Sequence, residues 1–255
     1  MKKKILMFFS IILISVLFLT SCDKKEIFVG GGERVYVNQF IQSDAQYVMP
    51  LVINEKINSF SISNINYDNN RELNCKIYVE DSDIKYKDYL CYFLCIDINY
   101  NSNTYGTYSI KSLEMNINDE IFDYNFSNFN ITLVEKNVSS LACLPEIFQT
   151  VNRENYIQYD TKEELTISKI SSTFPTETRF HSVYLDEYAA NQHISLGYYT
   201  LMPEYGDHDM VYVWYTLCFD MEISGNKKTD YYNVKAFQFY DDTLKLYVDD
   251  ISWLD

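Results

Sequence analysis

From Val211 to Ile223 the chain alternates without a break. Val211, Val213, Tyr215, Leu217, Phe219, Met221 and Ile223 fall on one side, and Tyr212, Trp214, Thr216, Cys218, Asp220 and Glu222 on the other. A period of two belongs to the β-strand, whose successive side chains point to opposite faces. Leu90, Tyr92, Leu94, Ile96 and Ile98 repeat the pattern against Cys91, Phe93, Cys95 and Asp97. Shorter alternations run through Leu73, Cys75, Ile77 and Val79, through Phe129, Ile131 and Leu133, and through Leu244, Leu246 and Val248. Strands of this length between polar turns predict antiparallel β-sandwiches. Helix is expected only from Pro145 to Val151, where Pro145 suits a first helical turn, and from Leu185 to Ala190.

Two segments about 120 residues apart can be laid over each other. Tyr92-Phe93-Leu94-Cys95-Ile96-Asp97-Ile98 matches Tyr215-Thr216-Leu217-Cys218-Phe219-Asp220-Met221, and each is followed by a polar turn, Asn101-Ser102-Asn103 or Ser224-Gly225-Asn226. Thr107 to Lys111 then corresponds to Tyr231 to Lys235, and the acidic turn Asn118-Asp119-Glu120 to Asp241-Asp242. The expected organisation is all-β, with two tandem immunoglobulin-like sandwiches at residues 34–135 and 161–255 and a connector at 136–160. The second half carries a surplus from His193 to Asp209, read as an insertion loop of the kind on which binding is often placed.

Ahead of the sandwiches the pattern changes. Lys2, Lys3 and Lys4 precede an apolar run from Ile5 to Leu19, closed by Leu19-Thr20-Ser21-Cys22. The run falls short of the ~20 residues that span a hydrocarbon core, and its layout is that of a secretory signal. This segment resembles the signal of bacterial lipoproteins. The resemblance implies removal of residues 1–21, a diacylglycerol on the Cys22 thiol and attachment to a membrane of the cell envelope through the lipid. Asp23-Lys24-Lys25-Glu26 is similar to the charged start of many lipoproteins of the outer membrane or cell surface, the expected location. In some bacteria an aspartate after the cysteine instead resembles an inner-membrane retention signal. Residues 22–33, with Gly30-Gly31-Gly32, read as a flexible tether.

Charge narrows the partners. The chain has 21 Lys and Arg against 36 Asp and Glu, a net charge of −15, and residues 1–21 hold three lysines and no acid, so the remainder stands at −18. This balance repels phosphate backbones and excludes nucleic acid as an expected partner. With Cys22 lipidated, Cys75, Cys91, Cys95, Cys143 and Cys218 remain, an odd number that leaves at least one outside any disulfide within the chain. Cys91 and Cys95 lie four apart on one strand face, ~13 Å at ~3.3 Å per residue, beyond the ~7 Å that a disulfide allows. Their spacing fits neither a zinc site nor a redox pair, so buried, inert thiols are the expectation.

The histidines, His181, His193 and His208, are surrounded by no hydrolase or metalloprotease pattern. No catalytic residue, metal or cofactor is therefore predicted. The run from Glu204 to Asp209 offers oxygen ligands suited to calcium, although a solvated acidic loop accounts for the same residues. Tyr198, Tyr199 and Tyr205 in the surplus, with Trp214 on the second face of the long strand, are the candidate ligand-binding residues, because flat rings suit the C–H faces of sugars. Core packing competes with that role.

These readings predict a non-enzymatic, lipid-anchored module for binding or adhesion, its protein or glycan ligand unspecified. The tandem layout also resembles glycan-capturing lipoproteins of polysaccharide-uptake systems, and an envelope hydrolase or a structural spacer are further alternatives. Metabolic labelling with a palmitate analogue is expected to mark the wild-type chain and not Cys22→Ala. A Cys22→Ala variant that still takes up label would refute lipidation at that residue.

Overall fold

The computed structural model describes residues 27–69, 71–101, 104–143, 154–174, 178–180, 186–200 and 212–237, with Lys245 and Val248. The first half contains β1 (Val29–Gly30), β2 (Val35–Ile41), β3 (Ala45–Ile53), β4 (Phe60–Tyr67), β5 (Cys75–Tyr86), β6 (Tyr89–Ile98), β7 (Gly106–Ile117), β8 (Glu120–Asn125) and β9 (Asn128–Leu133). The second contains β10 (Leu141–Cys143), β11 (Glu154–Thr161), β12 (Leu165–Ser172), β13 (Thr178–Phe180), β14 (Glu187–Tyr188), β15 (His193–Thr200), β16 (Tyr212–Ile223) and β17 (Asn226–Phe237). Sheet I has the order β1-β3-β6-β5 and sheet III the order β10-β11-β15-β13. Sheet II follows the path β14-β12-β16-β2-β9-β7-β4, with β17 beside β16 and β8 beside β7. Among the described residues no helix is long and apolar enough to cross a membrane.

The alternations of β6, β9 and β16 land where the sequence placed them. Tyr92, Leu94, Ile96 and Ile98 of β6 meet Phe129, Ile131 and Leu133 of β9 in a first core between sheet I and the first-half strands of sheet II. Tyr215, Leu217, Phe219 and Met221 of β16 face Tyr159 of β11 and Ile194 of β15 in a second core against sheet III. The protein is therefore built of β-sandwiches.

β2 and β16 join the halves. They pair in parallel from Val35↔Tyr212 to Asn38↔Tyr215. Val35, Val37, Tyr212 and Trp214 belong to the first core, while Tyr36, Val213 and Tyr215 belong to the second. Since neighbouring strand residues point to opposite faces, sheets I and III must cover opposite faces of sheet II. Every residue from Tyr212 to Leu217 is consequently buried.

At Thr216, one edge of β16 changes partner from β2 to β12, whose pairing begins at Ser172↔Leu217. The Thr216 N–H donates to Thr173 Oγ1 at 2.8 Å, and the Thr173 N–H donates to the Thr216 carbonyl at 3.0 Å. Thr173 also donates its hydroxyl to the Asn38 carbonyl. Thr216 Oγ1 accepts from the Phe40 N–H at 2.9 Å and donates to Asn233 Oδ1 at 2.6 Å. Buried Gln39 donates to the carbonyls of Tyr215 and Val234 and accepts from the Tyr47 hydroxyl at 2.9 Å. These bonds satisfy polar groups that would otherwise be costly to enclose.

Several expectations are corrected. Leu185 to Ala190 is not a helix where it is described: Glu187–Tyr188 is a strand paired to β12. Of the stretch from Leu244 to Val248, Lys245 and Val248 are helical, and Val248 buries itself beside Val52 and Cys91 on the outer face of sheet I. Part of the proposed insertion loop is β15, paired to β11 and β13, and β10 and most of β11 lie within the expected connector. The tether is folded from its later residues onward. β1 pairs with β3, Gly31 has φ 114 against the Pro50 carbonyl, and a side chain at Gly32 would meet the Asn125 carbonyl and the Tyr124 ring. Glycine is there to permit close packing and a left-handed backbone rather than slack.

The two superimposable segments also pair differently. β16 and β17 form a hairpin whose Ser224 and Gly225 both have positive φ, the two-residue turn that matches strand twist. β6 and β7 instead part into sheets I and II. The Pro145–Val151 helix lies outside the described residues. Trp214→Ala is expected to cost about 3–5 kcal/mol in equilibrium denaturant unfolding, as for a large aromatic removed from a core. A loss below about 1 kcal/mol would contradict burial of both faces of β16.

Candidate binding surface

The strand directions give the molecule two poles. Val29 pairs with Ile53 at the end of β3, and the Phe28 N–H donates to Asn54 Oδ1, so the chain enters the fold at that end. The start of β3 lies at the other end, where Ala45 pairs with Ile98 and Cys75 pairs with the same residue. Here gather the turn before β3, the β4–β5 and β6–β7 loops and the segment leaving β9. Nine residues of β3 separate the poles, roughly 30 Å at ~3.3 Å per residue. Parallel pairing makes β16 run from the level of Val35 toward this loop pole, and it continues past its last β2 partner to the Ser224–Gly225 turn.

Two open clefts flank that hairpin. One of about 620 Å³ is lined by Asn137, Glu163, Ser224, Asn226 and Tyr231, and one of about 370 Å³ by Ser168, Lys169, Asp220 and Met221; both reach Lys227, Lys228 and Thr229. Their walls are held by a polar network. Buried Asp230 accepts from the Ser140 N–H at 2.7 Å and the Ser139 hydroxyl at 2.9 Å, and its other oxygen lies 3.4 Å from Lys228 Nζ. Lys228 also donates to Ser140 Oγ at 2.7 Å and to the Val138 carbonyl. Ser140 donates to Glu163, and Lys162 to the Ser139 carbonyl. The segment after β9 is thereby pinned to β17. Lys228 and Asp230 are structural, whereas Lys227, exposed and opposite Glu222 on the neighbouring strand, faces solvent with its ammonium. Such surfaces offer donors and acceptors of both signs to a polar ligand. Sequence reasoning passed over these residues, although Lys227-Lys228, one residue beyond the Ser224–Gly225 turn, is a basic pair in an acidic chain.

The sequence-predicted residues are not brought together into one site. Trp214 is 1% exposed, edge-on to Tyr47 at 5.6 Å and stacked with Tyr212 at 5.6 Å. It cannot meet a ligand, because sheet I covers the face that the alternation left outward. Tyr198 and Tyr199 occupy consecutive positions of β15, and their side chains lie outside the described residues, as do Tyr205, the Glu204–Asp209 loop, Cys22, His181 and His208. His193 is exposed with Nδ1 2.9 Å from Asp160 Oδ1 across the β11–β15 pair. Among the described residues no group of three or more His, Cys, Asp or Glu side chains is placed to hold a metal ion.

Fold and surface define a β-sandwich protein with polar clefts and loops at one pole. Neither a protein-family model nor a curated protein matches the chain. Solved structures resemble it remotely. A protein of unknown function from Porphyromonas gingivalis W83 has 8% identity and a TM-score of 0.30, with 83% of this chain and 99% of that one covered. BspA_C_WT has 11% identity and a TM-score of 0.20, covering 79% and 96%. The collagen adhesin of S. aureus has 6% identity and a TM-score of 0.18, covering 84% and 93%. Likenesses of this degree assign neither a family nor a ligand.

Cys75, Cys91, Cys95 and Cys218 are free thiols. Burial pushes the Cys75, Cys95 and Cys218 thiols up to about 11 and Cys91 to about 12, from an ordinary 9.0, so they stay protonated at neutral pH. A raised acid keeps its proton in the fold after the unfolded chain has released it. The thiols therefore contribute no pH dependence below about pH 8, and stability is expected to fall between about pH 9 and 11–12 as the unfolded state ionises. Denaturant titrations across that range should show the fall, and Cys91→Ala should flatten it. A thiol-specific reagent at pH 8 should react slowly with the native protein at these four positions and rapidly in denaturant, and rapid native labelling of them would overturn their assignment as inert.

Proposed function

We propose that this chain is a lipid-anchored binding module of the bacterial cell envelope, which holds its loop pole away from the membrane to meet a partner. The observation that carries the reading is the separation of ends. The chain enters at one pole of the first sandwich, and the loops and polar clefts gather at the other. A lipid on Cys22 would precede Ile27 by five residues, at most ~18 Å of extended chain. The body would then stand close to the bilayer and lean on it by its entry pole. The parallel β2–β16 pairing and its buried fork supply rigidity, so that both halves present their distal ends in one direction. The acidic surface, repelled by anionic headgroups, favours that upright stance.

Epitope tags inserted singly at the Lys87–Asp88 turn and at the Ser224–Gly225 turn test this. On intact cells or on vesicles carrying the lipidated protein, the second tag is expected to bind antibody freely and the first to be hindered. Equal access to both, or hindrance of the Ser224–Gly225 tag alone, would sink the orientation. Membrane retention of Cys22→Ala would sink the anchor.

A further inference from the structure

The loop pole of the first sandwich carries an aromatic corner in which Tyr100 packs partly against the first core and Tyr105 stands exposed beside it. Among the residues whose side chains are described, Tyr105 is the one exposed large aromatic, at 42%. Its ring centroid lies 6.4 Å from that of Tyr100, with the planes tilted by 48°. Hydrogen bonds hold the backbone of both residues and the Tyr100 hydroxyl. The Tyr100 hydroxyl donates to the Val134 carbonyl at 2.7 Å, and its N–H donates to Asp44 Oδ1 at 2.8 Å. The Tyr105 carbonyl accepts from Arg71 Nη2 at 3.0 Å.

Arg71 is itself seated. Its guanidinium lies 5.0 Å over the Tyr108 ring, and it fits because residue 106 is glycine: a side chain there would lie 2.1 Å from Arg71 Nη1, at a φ of +131 that other residues rarely adopt. Asn69 Nδ2 donates to the Thr107 carbonyl at 2.8 Å, and the Asp68 N–H donates to the Ser109 carbonyl at 3.0 Å, which stitches the β4–β5 loop to the start of β7. Tyr108 donates its hydroxyl to the Thr104 carbonyl. Hydrogen bonds among neighbouring connections thus fix the backbone on which Tyr105 is carried.

We infer that Tyr105 and Tyr100, with Arg71 beside them, form a carbohydrate subsite for a neutral pyranose, the apolar face of the sugar resting on Tyr105 and its hydroxyls meeting the polar rim. Flat, rigid rings offer contact area at low entropic cost, which is what a weakly hydrophobic sugar face requires. Asp44, which accepts from the Tyr100 N–H, and Glu135, whose charge acts on Tyr100, disfavour uronic or sulfated sugars, since the Arg71 guanidinium is already bonded to a carbonyl. The corner stands at the pole opposite the chain's entry, where a soluble polymer could reach it. The inference rests on the binding-module reading and adds the ligand class and the residues.

The test uses the full-length protein in detergent, screened on an array of neutral and acidic glycans and then titrated calorimetrically with the neutral oligosaccharide it retains. Tyr105→Ala is expected to weaken binding roughly tenfold or more and Tyr105→Phe by less than about threefold, because the ring face and not the hydroxyl makes the contact. Gly106→Ala, which displaces Arg71, should also weaken it, with thermal melts confirming that each variant remains folded. Neutral-glycan binding unchanged by Tyr105→Ala but lost in Lys227→Ala would overturn the subsite and leave the module reading intact. Retention of acidic glycans alone would overturn the neutral class. Absence of any glycan binding, with adhesion of displaying cells to immobilised matrix proteins, would overturn the subsite while the module stands; no adhesion of either kind would overturn both.

Discussion

Thr216 and Phe40 are 176 residues apart in sequence, yet a hydrogen bond between them sits at the point on which the architecture turns. There one edge of β16 exchanges β2 for β12, and Thr173 closes the gap by bonding to both Thr216 and Asn38. A fork in a sheet leaves backbone donors and acceptors facing no strand, and burying them unpaired would cost about 1–3 kcal/mol each. The threonine hydroxyls and the Gln39 amide take up that role. Their replacement by apolar side chains of similar size would preserve volume and lose the bonds that let two sandwiches share one sheet.

Sharing the sheet has a directional consequence. Parallel strands point the same way, so the loop end of the first sandwich and the hairpin end of the second are oriented together. Antiparallel docking would have set the clefts beside Lys227 at the pole where the chain enters. The network of Asp230, Lys228, Ser139 and Ser140 reinforces this arrangement by fixing the segment that leaves β9 against β17. Rigidity at the joint and fixed loops at the ends lower the entropy that a ligand must overcome on binding.

The fold class and several strand faces were legible because alternation is a local property. β6, β9 and the second-core face of β16 can be read from residue types alone. The other face of β16 was also partly legible: Tyr212, Trp214 and Thr216 are apolar or compact, and only at Asp220 and Glu222 does the face become charged. That change marks where sheet I stops covering it. The helix expected at Leu185 to Ala190 failed because a five- or six-residue window cannot distinguish a helical turn from a strand that gains its bonds from a distant partner, here β12. The same reason hid the fold of Gly30 to Gly32, whose glycines serve close contacts with Pro50 and Tyr124 that no local pattern reveals.

By itself the sequence determined most of the alternating strands, the turn at Ser224–Gly225 and the acidic balance, since each depends on neighbouring residues or on composition. Only the tertiary structure decided that Trp214 is enclosed, that β6 and β7 part into different sheets while β16 and β17 stay together, and that Tyr100, Tyr105 and Arg71 meet at one corner. Those outcomes depend on which strands pair across long stretches of chain. Pairing is selected by the total burial and hydrogen bonding of the assembled sheets, and no single segment carries that information.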